Sequence, residues 1–269
     1  MDWNRVLDRL FLVDASHFLA ARSDPEQHQE DLLMEILPLG DSALILRIRQ
    51  DFEHAPEETL TEVLGVFDFL RRANIPGITE FAPAYTSVAA FYEVADVIAA
   101  GAAPDRVFEW LSARIHTVIA NGEIRLKRSA LSSIEIPVCY DEEFGFDLGQ
   151  VAHHAGLSKD EAVDLHCGAE YRVHCLGFTP GFPYLSGMPT ALAMPRRPVP
   201  RKQVPAGSVA IGGTQTGVYP LESPGGWNVI GRTPLRLFDA KKNPPALLYA
   251  GDRVRFRSIT RSEFDGLKG

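Results

Sequence analysis

Glycine and proline interrupt the chain every few residues between positions 166 and 239, and this pattern limits the fold more than any other feature. The turn-forming runs are Phe178–Leu185 (FTPGFPYL), Gly212–Gly217 (GGTQTG), Ser223–Trp227 (SPGGW) and Gly231–Pro234 (GRTP). Glycine supplies positive φ and proline fixes φ at about −65°, so both mark turns between short extended segments. Many short strands with frequent turns favour a closed or nearly closed β-barrel. We therefore predict a β-barrel domain over residues 126–269.

Three segments frame the predicted barrel. Ile134–Tyr140 and Arg253–Ile259 have the composition of strands. Between them, Ser158-Lys-Asp-Glu161 has the spacing of a capping box and predicts the start of a short helix.

Residues 32–125 have the pattern of a small α/β domain. The strand-like and helical segments, in order, are Met34–Leu39, Ala43–Ile48, Val63–Leu70, Ser87–Tyr92 and a helix opened by Pro104. Thr59-Leu-Thr-Glu62 is a candidate capping box for the first helix. The order of strands and helices fits a ferredoxin-like split βαβ unit. We therefore predict an α+β protein in which a ferredoxin-like α/β domain precedes the barrel.

Residues 1–31 differ from both predicted domains. Val6, Leu7, Leu10 and Phe11 recur at helical spacing, and the polar stretch Ser23–Asp31 is typical of a linker. We predict an N-terminal helical extension. Packing on the domain and binding to a partner both remain open for this helix.

Composition excludes several classes of protein. The chain has 269 residues, a net charge of −8 and three cysteines, which cannot all pair with one another. The charge argues against general nucleic-acid binding, and the few cysteines indicate a reducing compartment. No apolar run reaches the ~18–20 residues of a membrane span, and the first residues lack a signal peptide pattern. We expect a cytoplasmic protein with no nucleic-acid or membrane partner.

A basic, proline-rich run, residues 195–202, is termed here the arginine segment. It contains Arg196, Arg197, Arg201 and Lys202 and no acidic residue. A stiff loop of this kind can present guanidinium groups to a carboxylate or phosphate. A solvated basic loop or a contact with an acidic partner protein explains the same composition.

Other polar and aromatic residues of the barrel have two interpretations each. Gly212–Gly217 either exposes backbone N–H groups to an anion or forms a tight turn. Trp227 is either a ligand platform or a packed aromatic residue. Arg232 either faces the site or pairs with Asp239 or Glu222.

The histidines and cysteines at positions 166, 167, 174 and 175 do not have the spacing of a zinc site. The two halves of this group also fall on different segments. We therefore predict no metal.

The motifs between His166 and Asp239, in content and order, resemble the allophanate hydrolase subunit 1 family, which includes the KipI and PxpB groups. The resemblance extends from about Ile36 to Ile259 and leaves out the N-terminal extension. It implies a cyclophilin-like barrel for the C-terminal domain. This fold name carries no prolyl isomerase activity, because function depends on the site and not on the fold.

The resemblance also implies candidate site residues. The predicted catalytic residues are His166, Arg197, Gln215 and Tyr219, and the predicted substrate-binding residues are Arg196, Arg201, Gly213, Trp227 and Arg232. His166 matches a family histidine and is predicted to act as an acid–base or orienting group. An amide and a phenol, as in Gln215 and Tyr219, suit the orientation of a small polar substrate.

The function implied by the resemblance is that of the B component of an ATP-dependent 5-oxoprolinase. This enzyme opens 5-oxo-L-proline to L-glutamate and needs a subunit-2 (PxpC-like) protein and an A component (PxpA-like). ATP would be used by the complex, and the chain alone would be inactive. One alternative is the subunit-1 half of a urea-type carboxyltransferase, with biotin on another chain. Another is a KipI-like inhibitor of a histidine kinase, which is a binding module.

Overall fold

The computed structural model describes residues 34–52, 54–124 and 133–268. The predicted N-terminal extension, residues 1–31, lies outside the described residues. Two parts are distinguished below, an α/β lobe (residues 34–124) and a barrel lobe (residues 133–268). No helix in the described ranges is long and apolar enough to cross a membrane.

The α/β lobe is a four-stranded antiparallel sheet with helices. Its elements are β1 (Glu35–Pro38), β2 (Ala43–Arg47), α1 (Pro56–Arg72), β3 (Ile78–Ala84), β4 (Ser87–Tyr92), α2 (Val94–Ala99) and α3 (Val107–Ala120). The strand order is β1-β2-β4-β3. Helix α1 connects β2 to β3, and β4 lies between them, so a split βαβ arrangement is present. The edge strand β1 precedes this unit in a hairpin, and the ferredoxin-like assignment is not confirmed.

Two local features of this lobe differ from the sequence-based expectation. Helix α1 begins at Pro56 and not at Thr59, which lies buried inside the helix. Proline is favoured in the first turn because its missing N–H would have no partner there, and this sets the earlier start. The strand β3 is absent from the prediction, since Pro83 is unfavourable in a central strand. It is tolerated here because β3 is an edge strand.

The barrel lobe contains nine strands. Its elements are β5 (Ser133–Val138), α4 (Leu148–Ala155), α5 (Lys159–Gly168), β6 (Tyr171–Leu176), β7 (Pro183–Ser186), a 3₁₀ turn (Thr190–Leu192), β8 (Arg201–Val204), β9 (Ser208–Gly212), β10 (Gln215–Val218), β11 (Ser223–Gly225), β12 (Asn228–Arg232), β13 (Arg253–Ser258) and α6 (Arg261–Leu267). Seven strands form one sheet in the order β12-β9-β10-β7-β6-β13-β5, and β8 pairs with β11.

The seven-stranded sheet is nearly closed. The chain after β5 meets the last residue of β12 at the other end of the sheet. Cys139 and Arg232 exchange two backbone hydrogen bonds, each with an N···O distance of 2.9 Å. The prediction of a nearly closed β-barrel is therefore confirmed.

Helix α5 begins as the sequence predicts. The Ser158 hydroxyl accepts a hydrogen bond from the Glu161 backbone N–H at 3.2 Å, and the Ser158 N–H donates to the Glu161 carboxylate at 2.8 Å. This reciprocal capping box fixes the start of the helix. The last turn of α5 carries His166 into the barrel core.

Candidate functional site

The outer surface of strands β7, β9 and β10 carries a cluster of aromatic rings, termed here the aromatic face. It is formed by Phe182, Tyr184, Tyr219 and Trp227. The Phe182 ring lies at the centre, with centroid distances of 5.0 Å to Tyr184, 5.2 Å to Tyr219 and 5.5 Å to Trp227. All three pairs are edge-to-face, the geometry that the ring quadrupoles favour.

Two glycines make room for these rings. A Cβ atom on Gly212 would lie 2.5 Å from the Trp227 indole, and one on Gly217 would lie 2.9 Å from the Phe182 ring. Both distances are too short for real contacts. The glycine-rich run therefore serves as a flat surface for aromatic packing, and only Gly213, with φ of +64°, requires a left-handed backbone for the turn.

Arg196 is the open cation of the aromatic face. Its guanidinium carbon lies 5.8 Å from the centre of the Trp227 ring. The side chain is exposed and, among the residues that the structure describes, makes no hydrogen bond or ion pair. Burial raises the pKa of Tyr184 to about 12, and the nearby Arg196 charge lowers it. Arg196 thus offers a full guanidinium beside a phenol and an indole.

Arg197 and Arg201 are occupied by a protein carboxylate. Asp147 is 1% exposed, and its Oδ1 accepts from Arg197 Nη1 at 2.9 Å. Arg201 binds the same carboxylate with two hydrogen bonds, Nη1 to Oδ2 at 2.7 Å and Nη2 to Oδ1 at 2.8 Å. The predictions that Arg197 is catalytic and that Arg201 binds substrate gain no support from these contacts.

Gln215 lies at the edge of the aromatic face, where the two lobes meet. Its amide Nε2 donates to the Tyr85 hydroxyl at 2.9 Å, and that hydroxyl lies 3.2 Å from Gln215 Oε1. The Tyr85 ring also contacts Tyr184, at 6.3 Å, and stacks on His174 at 6.0 Å. The α/β lobe thus contributes one side of the site, and Gln215 is half-buried within it.

Tyr219 lies beneath the surface of the aromatic face. It is 2% exposed, and burial raises the pKa of its hydroxyl. A hydrogen bond from the Trp227 backbone and the charges of Arg196 and Arg201 act in the opposite direction. The phenol therefore supports the aromatic packing, and its predicted catalytic role gains no support from this position.

His166 lies inside the barrel, on the opposite side of the sheet from the aromatic face. Its Nδ1 is 2.8 Å from the Tyr140 hydroxyl, and its Nε2 is 3.1 Å from the Thr216 hydroxyl. The ring stacks on Phe256 at 4.5 Å. Complete burial lowers the pKa of His166 to about 3. The imidazole is a neutral core residue with both nitrogens occupied, so its predicted acid–base role gains no support.

Arg232 and Trp227 have structural contacts. The Arg232 Nε donates to the Ala206 carbonyl at 2.8 Å, and its guanidinium lies over the Phe144 ring. Neither Asp239 nor Glu222 pairs with Arg232, because Asp239 pairs with Arg236 and Glu222 with Gln203. Trp227 is 6% exposed and combines packing with the contact to Arg196.

The candidate metal ligands stay apart. In the described ranges no group of three or more histidine, cysteine or acidic residues could hold a metal ion. His174 donates or accepts at the Ser186 hydroxyl, 2.6 Å from its Nε2, and packs against Phe52. Its place is the junction of the two lobes.

The chain matches the sequence model of one protein family over most of its length. This is the carboxyltransferase domain, subdomain C and D, and it matches residues 34–248. The chain belongs to this family. The matched span covers the α/β lobe and most of the barrel lobe, including the aromatic face and the arginine segment.

Two curated proteins are similar to the chain. The B component of 5-oxoprolinase from Bacillus subtilis (strain 168) is 43% identical over 206 residues, which is 74% of this chain and 83% of that protein. The B component of 5-oxoprolinase from Escherichia coli O157:H7 is 58% identical over 123 residues, 46% of this chain and 56% of that protein.

A solved structure extends the comparison to the fold. The crystal structure of TTHA0988 superposes with a TM-score of 0.66 and 37% sequence identity. The match covers 81% of this chain but 40% of that one, so the chain spans less than half the length of TTHA0988.

Three residues of this carboxyltransferase-domain site were missed by sequence reasoning. They are Asp147, Tyr184 and Tyr85. Four basic residues in one segment would need a counter-ion if any were buried, and this signal could have prompted a search for an acid such as Asp147. The segment Phe178–Leu185 is rich in aromatic residues and turns, but its sequence does not show which ring faces outward. Tyr85 reaches the site only through the contact between lobes.

Proposed function

We propose that this chain is the B component of a 5-oxoprolinase, a hydrolase that opens 5-oxo-L-proline to L-glutamate with partner subunits. The observation that carries the proposal is the 43% identity to the corresponding component of the Bacillus subtilis enzyme over most of both chains. The geometry of the aromatic face agrees with a substrate that is small, partly apolar and anionic. We expect the partners to be a PxpC-like subunit 2 and a PxpA-like A component.

The chemistry of the substrate fits the aromatic face. 5-Oxoproline is a five-membered lactam ring with one carboxylate. A guanidinium binds a carboxylate by charge-assisted hydrogen bonds, and Arg196 is the guanidinium with no protein partner among the described residues. The Trp227 and Tyr184 rings beside it give an apolar surface for the lactam ring. Gln215, held by Tyr85, presents an amide at the edge of the same surface.

ATP would be consumed by the complex. In the proposed reaction, the terminal phosphoryl group of ATP is transferred to the lactam oxygen, and ADP leaves. Water then attacks the activated carbon, the C–N bond breaks, and phosphate is released. We assign to this chain the orientation of 5-oxoproline, and we assign no ATP contact to any of its described residues.

Reconstitution tests the proposal. The chain is purified with its subunit-2 and A-component partners, and glutamate formation from 5-oxoproline and ATP is measured. We expect glutamate only when all components are present. A stable, folded complex that forms no glutamate would overturn the proposal, and carboxyl transfer to urea with a biotin-carrying chain would then be measured. Tight binding of a histidine kinase by a chain that is inactive in every complex would instead identify a KipI-like inhibitor.

One substitution tests the assignment of the anion site. Arg196→Gln removes the guanidinium, and loss of a charge-assisted hydrogen bond should raise the KM for 5-oxoproline by about 10- to 100-fold. Lys202→Gln is the matched control, since Lys202 is an exposed cation of the same arginine segment. An equal effect of both variants on KM would show that the segment acts through its overall charge and not through Arg196.

The finer fold names and boundaries belong to this proposal. We propose, from the family resemblance, that the α/β lobe is a variant of the ferredoxin-like fold in which β1 supplies the edge strand. We also propose that the barrel is cyclophilin-like and that the domains divide near residues 31 and 125.

A further inference from the structure

We propose that Asp147 is a positioning residue that holds the arginine segment and thereby places Arg196 over the aromatic face. The link to substrate binding rests on the function proposed above, whereas the holding of the segment does not. The first observation is the number of contacts on one buried carboxylate. Besides the three hydrogen bonds from Arg197 and Arg201, Asp147 Oδ2 accepts the backbone N–H of Val229 at 2.8 Å.

The second observation concerns the helix that follows Asp147. Aspartate is a favoured N-cap because its carboxylate accepts the free N–H groups of the first turn. Asp147 occupies the N-cap position of α4, yet its side chain makes no cap hydrogen bond. The backbone N–H of Asp147 donates instead to the Val229 carbonyl at 2.8 Å, which turns the carboxylate toward the arginine segment. The local structure therefore favours the segment over the helix.

The third observation is the position of the fixed points. The carboxylate binds Arg197 and Arg201, on the two sides of the Pro198-Val199-Pro200 tip, and so closes the tip into a loop. The Arg197 backbone N–H also donates to the Gly226 carbonyl at 2.7 Å. On the other side of Arg196, the Pro195 carbonyl accepts from the Asn228 amide at 2.9 Å.

Arg196 is thus held by its neighbours and not by its own side chain. Its backbone lies between two anchored residues, while its guanidinium is free to contact a ligand. Val199, at the tip, is 74% exposed, so apolar burial does not order the segment there. The hydrogen bonds to Asp147 supply that order. In this assignment Arg197 and Arg201 position the segment, and Arg196 binds the substrate.

Proteolysis tests the holding of the segment without any assay of activity. Trypsin can cleave the Arg196–Arg197 bond, whereas the Arg197–Pro198 bond is resistant because of the proline. Asp147→Asn keeps the shape of the side chain and removes its charge. We expect native-state cleavage after Arg196 to be at least about tenfold faster in this variant, since cleavage follows the population of the open segment.

Glu170→Gln is the matched control. Glu170 also joins two arginines, Arg253 and Arg255, but at a distance along the fold from the arginine segment. We expect no change in cleavage after Arg196 in this variant. Unchanged cleavage in Asp147→Asn, with the native circular dichroism spectrum retained, overturns the proposal whether or not the complex makes glutamate. If Asp147→Asn fails to fold, Arg201→Lys gives the same test by removing the two-pronged contact.

Steady-state kinetics of the reconstituted complex test the link to substrate. Asp147→Asn should raise the KM for 5-oxoproline about tenfold and leave kcat within about twofold, because it displaces a binding group without touching the reacting atoms. Asp147→Glu should recover part of the loss. Faster cleavage with an unchanged KM would overturn the link to substrate binding, and loss of kcat alone would do the same.

Discussion

The interior of the barrel and the aromatic face are built by the same strands, yet they treat polar groups in opposite ways. From β10, Thr216 faces inward and Gln215 outward. Inside, Thr216 bonds His166 and donates to the Ala210 carbonyl at 3.0 Å, so each polar group has a protein partner. Outside, Arg196 has none among the described residues. The difference teaches that inward polar residues here serve folding, while an outward group without a partner is the better candidate for ligand binding.

The largest effect is expected from removal of an interior partner. His166→Ala leaves a cavity and deprives Tyr140 and Thr216 of their hydrogen bonds, so the free energy of unfolding should fall by about 3–5 kcal/mol. Urea denaturation measures this change. His154→Ala, on the exposed side of α4, is the matched control and should change stability by less than about 0.5 kcal/mol. A small loss in His166→Ala would place this histidine in a functional and not a structural role.

A smaller effect is expected where the aromatic face meets its glycine surface. Gly212→Ala places a methyl group against the Trp227 indole, and this overpacking should cost about 1–3 kcal/mol. Gly168→Ala, at the end of α5, meets open space and should be neutral or slightly stabilising. The measurements are urea denaturation and the near-ultraviolet circular dichroism of tryptophan. Equal stability of the two variants would show that the glycine surface is not required for aromatic packing.

The pH dependence of stability separates buried from exposed histidines. Burial lowers the pKa of His166 to about 3 and that of His174 to about 4, from 6.5 in the unfolded chain. Below pH 6.5 the unfolded chain takes up protons that the folded protein does not, so stability is present above this pH and falls as the pH falls. Each histidine should contribute a loss of about 1.4 kcal/mol per pH unit down to its folded pKa.

The test of this pH dependence is a series of urea denaturation curves between about pH 7 and about pH 4.5. His174→Gln should reduce the slope of stability against pH by the share of one histidine. His153→Gln removes an exposed histidine of α4 and should leave the slope unchanged. If the wild-type slope did not steepen below pH 6.5, neither histidine would be neutral and buried as described.

The sequence predicts local and repeated features of this molecule well. The capping box at Ser158 and the barrel were predictable, because both depend on residue types at short spacing. The roles of Arg197 and Arg201 were not, since their partner Asp147 is about 50 residues away and its side chain turns away from the helix that it precedes. The direction of His166 was also beyond a local pattern. A histidine in the last turn of a short helix has the same sequence signal whether it faces the core or a ligand.

The smallest change in stability is expected at the outward cation. Arg196→Gln removes a contact with the Trp227 ring, and an exposed cation–π pair contributes no more than about 1 kcal/mol. Arg114→Gln is a matched control, because the Arg114 guanidinium lies 6.0 Å from the Trp110 ring in the α/β lobe. Both variants should lose the same small amount of stability in urea denaturation. Only Arg196→Gln should also raise the KM for 5-oxoproline.

A larger loss of stability in Arg196→Gln than in Arg114→Gln would break the comparison between the two faces of the sheet. It would mean that the aromatic face, like the interior, depends on Arg196 for folding. A KM effect without a matching loss of stability would instead separate the two faces by role. Arg196 would then be a group whose missing partner is the substrate, whereas every polar atom of the His166 side chain already has its partner in the folded chain.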